Sequence, residues 1–233
     1  MLIPKIIHQV YEDPRGPSKI LQDMSITWKK KHPKWEYKFW NKKSIDCFIN
    51  NVGLDVSNVY KSLPFNIQRW DMIRYLILYQ YGGLYVDMDY ECIEPLDTLF
   101  GDTICCMGLE PKGNTIAPNH PFIVGNALMA SVPYYDFFKM LIDEIKQNWN
   151  THFSTHKTYQ VLESTGPLMT TRVYNRYSFK EKINLLPAEL IAPLNRDEVL
   201  ACIKGEETKE IEDKVEKSYA IHYSLCSWTS QTE

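Results

Sequence analysis

The chain has no surplus of either charge: 26 Lys+Arg stand against 29 Asp+Glu, a formal net charge of −3 over 233 residues. Such a balance excludes a protein built to coat nucleic acid, which needs a basic footprint. Long hydrophobic runs are also missing. The most apolar stretch, Met72 to Val86, is interrupted by Arg74, Gln80 and two glycines, short of the ~18 consecutive apolar residues that mark a spanning helix. The opening MLIPKIIHQV carries a Lys inside a short apolar run and has no small-residue cleavage site. It therefore predicts a first strand, not a signal peptide, and with it a cytoplasmic location. The six cysteines show neither a CxxC nor a zinc-ligand spacing, and Cys105 and Cys106 are adjacent. They are expected to be reduced, buried thiols. Internal repeats and low-complexity linkers are absent. What is present is apolar and aromatic: 44% hydrophobic and 13% aromatic residues exclude disorder. The length suits one domain, 1–233, around a sizeable core.

Periodicity gives an alternation of strands and helices. Lys5 to Val10 and Trp35 to Trp40 predict strands, separated by helical spacing at Leu21, Met24 and Trp28. Asn41 can cap a short helix carrying Ile45, Phe48 and Ile49. The strongest helix signal runs from Ile67 to Tyr81, with Asn66 as its N-cap and Gly82 as its left-handed end. Leu84 to Tyr90 then reads as a strand tipped with carboxylates. Further strands are expected at 103–107, 122–129 and 219–222, with a helix opening at Pro133 and a charged, solvated stretch from Glu206 to Lys217. This pattern predicts an α/β fold with a mostly parallel central sheet flanked by helices, and ligands at strand ends.

The chemistry centres on Asp87 and Asp89. Two residues apart in a strand they share a face, so both carboxylates would converge on one point. Converging carboxylates repel unless a proton or cation lies between them, and a divalent ion with open positions for phosphate is a natural use. A DxD alone is as readily a polar strand end. Its context adds Asp71 and Arg74, three apart on the preceding helix. They are either an ion pair or a carboxylate aiming a guanidinium at an anion or sugar. Tyr85, on the same strand face, either helps hold a ribose or phosphate or is a core aromatic.

Taken together, Ile3-Pro-Lys-Ile-Ile-His-Gln9, Trp70-Asp-Met-Ile-Arg-Tyr75, Tyr81-Gly-Gly-Leu-Tyr-Val-Asp-Met-Asp89, Ile221-His222 and Ser227-Trp228 resemble glycosyltransferase family 32, the DxD sugar-binding-region transferases. That family includes bacterial capsule and lipopolysaccharide transferases and yeast-type α-1,6-mannosyltransferases. The resemblance implies a GT-A (Rossmann-like) nucleotide-sugar transferase fold, a nucleotide-sugar donor, Mn²⁺ or Mg²⁺, and retention of anomeric configuration. By position it implies that Asp71 and Arg74 hold the donor sugar and that Tyr85 and Asp87 lie near ribose and metal. Asp89 would be the principal metal ligand and His222 would complete the site. Trp228 would close over the diphosphate, and Ile7, His8 and Gln9 would lie beside the base. Asn126 and the Gly166-Pro167 turn would lie on the acceptor side. One departure is Trp70 before Asp71, where the family more often has serine.

The function expected from the resemblance is metal-dependent hexosyl transfer from a UDP-sugar to a glycan or lipid-linked saccharide, as in capsule or surface-polysaccharide assembly. The alternatives are a GDP-mannose-dependent mannosyltransferase and a non-catalytic nucleotide-sugar binder. A phosphohydrolase with a paired aspartate fits less well, because here the pair follows a long helix. Lys29, Lys30, Lys31, Lys34, Lys38, Lys42 and Lys43 interleave with Trp28, Trp35 and Trp40. Such a run is either a solvated face or a peripheral contact with anionic lipid at the inner face of the cell membrane.

Overall fold

A computed structural model describes residues 2–111, 120–151 and 154–225. The chain begins with β1 (Ile6–Val10) and α1 (Lys19–Lys31), then β2 (Glu36–Trp40), α2 (Lys42–Ile49), α3 (Leu54–Ser62) and α4 (Asn66–Tyr81). Asn41 caps α2 as predicted: its side chain accepts the Ser44 N–H while the Ser44 hydroxyl accepts the Asn41 N–H. In α4 the cap is Phe65, whose N–H donates to Gln68 Oε1, and Asn66 is the first helical residue. From Asp71 to Leu78 every residue of α4 is buried, which is why this helix has no polar stripe.

Gly82 and Gly83 then reverse the chain at φ 62° and 94°. A Cβ at Gly82 would lie 2.7 Å from the Ser131 carbonyl oxygen, and one at Gly83 would lie 2.6 Å from that of Ile6. Only glycine fits either place. The strand that follows is shorter than the sequence suggests. β3 is Gly83–Val86, Asp87 to Asp89 form a turn, and the chain re-enters as β4 (Tyr90–Cys92).

Next come α5 (Asp97–Phe100), β5 (Cys105–Leu109), β6 (Val124–Ser131) and α6 (Asp136–Asn148). α6 starts later than Pro133 because Tyr134, at φ 58°, turns the chain first. The described chain closes with α7 (Lys157–Ser164), α8 (Pro167–Arg176), β7 (Asn184–Leu186), α9 (Ala188–Ile191), α10 (Arg196–Lys204), α11 (Lys209–Glu216) and β8 (Ala220–His222).

Six strands form one sheet in the order β2-β1-β3-β6-β5-β7, and β4 and β8 pair separately as an antiparallel ribbon. In the large sheet every strand but β6 runs the same way. Side chains alternate between two cores. Tyr85, Cys105, Met107 and Met129 join the core under α4 and α6, while Leu84, Val86, Cys106 and Leu128 join the core on the opposite face. That alternation sends Cys105 and Cys106 to opposite sides. The five described cysteines are free, and Cys92, Cys105 and Cys106 are buried as expected, whereas Cys47 is exposed. Cys226 lies outside the described residues.

No described helix is long and apolar enough to cross a membrane. The tryptophans among the lysines turn inward. Trp28 is fully buried and donates its indole N–H to the Tyr90 carbonyl at 2.8 Å, and Trp40 donates to His8 Nδ1 at 3.1 Å. Several of the lysines face acids: Lys31 meets Glu94, Lys38 meets Glu36, and Lys42 meets Asp46.

Candidate active site

The DxD turn sits at the C-terminal end of β3, beside the matching ends of β1 and β2, where parallel α/β sheets collect ligands. It brings Asp87 and Asp89 together by turning, not by the pleat of a strand. β8 adds His222, and ligand atoms of the three residues all lie within 4.8 Å of one another. His222 stacks on Tyr90 with ring centroids 4.2 Å apart, and its Nε2 lies 3.4 Å from Asp89 Oδ1. Asp89 also accepts the Leu225 N–H on Oδ2 at 2.9 Å, while its carbonyl accepts the Tyr223 N–H at 3.0 Å. The turn thus anchors the segment after β8.

Electrostatics suit a cation here. Burial alone would raise the Asp89 carboxyl, but His222 and the Leu225 N–H prevail and hold it below its ordinary range. Burial would lower His222, and Asp89 reverses that. Asp87 is pushed up, first by burial and then by Asp89, with Arg74 acting against both. Two carboxylates and an imidazole are a donor set that fits Mn²⁺, and the imidazole makes it less suited to Mg²⁺.

Behind Asp87 lies a buried polar network. Arg74 Nη1 is 3.2 Å from Asp87 Oδ1 and donates to the Asn126 carbonyl at 2.9 Å, and Nε donates to the Trp70 carbonyl at 3.2 Å. Asp71 accepts from Asn126 Nδ2 at 2.9 Å and from the Thr165 hydroxyl at 2.8 Å, with Arg74 Nη2 3.4 Å away. Asp71 and Arg74 are only 3% and 4% exposed, so their polar atoms are engaged chiefly by protein. Burial raises the Asp71 carboxyl to about 6 against the pull of Arg74. Of the two readings of the Asp71 and Arg74 spacing the ion pair is present, and Arg74 extends from it to Asp87.

The first strand contributes through its backbone neighbours. Gln9 donates to the Asp87 carbonyl at 3.1 Å and accepts from the Tyr37 hydroxyl at 2.7 Å. His8 is fully buried, with Nε2 on the Gly82 carbonyl and Nδ1 on Trp40, and Ile7 is 1% exposed in the core. Tyr85 is a core aromatic whose hydroxyl donates to Asp87 Oδ1 at 2.6 Å. Gly166 and Pro167 open α8, and Thr165 just before them ties that turn to Asp71. Trp228 lies outside the described residues. Sequence reasoning missed Thr165 and also Tyr75, whose hydroxyl accepts from Asn126 at 2.8 Å and donates to the Thr165 carbonyl at 2.7 Å. Tyr75 lies one helical step from Asp71, and that spacing was the available signal.

Residues 19–105 match the family described as a glycosyltransferase sugar-binding region containing a DXD motif. The chain is 32% identical over 178 residues to inositol phosphoceramide mannosyltransferase 2 of Schizosaccharomyces pombe, covering 76% of this chain and 47% of that one. It is also 32% identical to a mannosyl phosphorylinositol ceramide synthase of Saccharomyces cerevisiae, over 76% of this chain and 43% of that one. The chain thus spans about half the length of the curated relatives it matches. Among solved structures it resembles the PaToxG glycosyltransferase with a TM-score of 0.61 at 14% identity, covering 94% of this chain and 89% of that one. The galactosyltransferase LgtC superposes with a TM-score of 0.50 at 12% identity, over 94% and 87% of the two chains. The fold is accordingly GT-A.

Proposed function

The chain belongs to the glycosyltransferases whose sugar-binding region contains a DXD motif, and from that premise we propose that it is a retaining, metal-dependent hexosyltransferase. The observation that carries the reading is the Asp87, Asp89 and His222 cluster at the C-terminal end of β3. These three residues would hold a divalent ion, which when bound would neutralise charge on a nucleoside diphosphate. Asp71, Arg74 and Asn126 act through Asp87 by fixing its carboxylate, and Gln9 fixes its carbonyl. They are positioning residues. The His222 ring, stacked on Tyr90, is held at one edge of the cluster.

For the donor, mannose from GDP-mannose is favoured over a hexose from a UDP-sugar. The support is in the names of the relatives, mannosyltransferases of inositol phosphoceramide, and they likewise favour an acceptor carried on a lipid. In the proposed reaction the acceptor hydroxyl attacks the anomeric carbon on the face from which the diphosphate leaves. Its proton passes to the departing diphosphate oxygen, and the bond to that oxygen breaks.

The test is turnover of GDP-mannose and of UDP-hexoses by purified protein with Mn²⁺. Asp89→Asn should lower the metal-dependent rate at least about 100-fold with the fold intact by circular dichroism. Full activity in that variant would overturn the site. Turnover of UDP-hexoses alone would reverse the donor choice.

A further inference from the structure

A cleft of about 840 Å³ opens where the chain leaves β1 and β2 and along the start of α4, within the size range of small-molecule sites. Its walls include Glu12 just after β1, Lys42 at the start of α2, and Arg69 and Trp70 in α4. It adjoins the site through the chain on two sides. Gln9, three residues before Glu12, holds the Asp87 carbonyl, and the carbonyl of Trp70 accepts from Arg74.

Three carboxylates line the cleft, and two are spoken for. Asp13 is held by Nε and Nη2 of Arg15, and Asp46 pairs with Lys42. Glu12 has no ion pair among the described residues. Its Oε2 accepts the indole N–H of Trp70, which anchors one carboxylate oxygen. Its Oε1 has no protein donor among the described residues. Half-buried, this carboxyl is pushed up chiefly by desolvation, while the Trp70 hydrogen bond and the charges of Lys42 and Arg69 act against the rise. A fixed carboxylate with a spare oxygen at a cleft wall is a receptor for adjacent N–H donors.

We propose that Glu12 selects the base of the donor, accepting the ring N–H and the 2-amino group of guanine, with the Lys42 ammonium beside it facing the guanine carbonyl. Uracil offers a carboxylate a single N–H flanked by two carbonyl oxygens, so it gains one bond and meets repulsion on either side. Adenine presents a ring acceptor at the corresponding place. The cleft therefore favours GDP over UDP. This inference rests on the nucleotide-sugar reading above and adds the residue that sets its base.

The experiment is calorimetric binding of GDP, IDP and UDP to the full chain with Mn²⁺, for the wild type, Glu12→Gln and Trp70→Phe. IDP differs from GDP only in lacking the 2-amino group. The wild type should bind GDP at least about 10-fold tighter than UDP and measurably tighter than IDP. Glu12→Gln should shrink both gaps to less than about threefold, by weakening GDP and sparing UDP. Trp70→Phe, which frees the carboxylate, should narrow them in part. Equal affinity for GDP and IDP in the wild type would overturn the proposal without reference to any variant. So would UDP matching GDP, or gaps that survive Glu12→Gln. Failure of all three nucleotides to bind would instead bring down the nucleotide-sugar reading itself.

Discussion

Asp71 has both carboxylate oxygens hydrogen-bonded, one to Asn126 and one to Thr165, and a guanidinium beside it. A buried carboxylate is tolerable only with that degree of satisfaction. Of this network the sequence made the Asp71 and Arg74 pair legible, because the two share a helix face, while Asn126 was singled out by the resemblance alone and for the acceptor side. Thr165 was not legible as a partner, since 94 residues separate it from Asp71 and only the folded chain joins them. His8 shows the converse. The resemblance implies a place beside the base; in the structure its ring is enclosed, accepting from Trp40 on Nδ1 and so donating from Nε2 to Gly82. Burial lowers its pKa to about 4. Above pH 6.5 both folded and unfolded chains hold this ring neutral, and it contributes nothing to pH dependence. As pH falls from 6.5 toward 4 the unfolded chain takes up a proton that the folded chain refuses, so stability drops by about 3 kcal/mol. Urea denaturation across that range should show the acid slope in the wild type, and a smaller slope in His8→Asn. An unchanged slope in the variant would refute the assignment.

At the scale of elements, the helix-to-strand junction positions the site. Gly82 and Gly83 let β3 leave α4 directly beside β1, and four residues later the DxD turn emerges at the sheet edge where β8 can meet it. The periodicity of the sequence foretold a strand through Asp89, because Leu84, Val86 and Met88 alternate with polar or aromatic residues. Pairing with β1 ends at Tyr85 and with β6 at Val86, and the Asp87 N–H turns instead to the Ala127 carbonyl at 2.9 Å. Convergence of the carboxylates was thus read correctly for a reason the structure replaces. Gly83→Ala should cost more than the ~1–3 kcal/mol of backbone strain alone, since its Cβ would meet the Ile6 carbonyl. Gly205→Ala should cost about 1 kcal/mol, because Gly205 is left-handed at φ 71° with nothing within 4 Å of a new Cβ. Chemical denaturation of both variants checks the contrast, and equal losses would show that the close approach at Gly83 carries no weight.

For the molecule as a whole, the near-neutral charge conceals a local division. Acidic ligands gather at the DxD turn, and basic side chains gather between Lys29 and Lys43, where several meet acids and the tryptophans face inward. The α/β class and the two-sided burial were readable from the alternation of elements. The order β2-β1-β3-β6-β5-β7 was not, because it depends on pairings between distant segments, such as β5 with β7, that no local pattern encodes. That order leaves the C-terminal ends of β1, β2 and β3 side by side, with Glu12 following β1 and the DxD turn following β3. The central claim is that Asp87, Asp89 and His222 hold a divalent ion at this junction. Its most direct test is a titration of Mn²⁺ into the protein with GDP present, reading the free ion by electron paramagnetic resonance. The wild type should take up a single ion, and Asp89→Asn should bind it at least about 10-fold more weakly; equally tight uptake by Asp89→Asn would contradict the account.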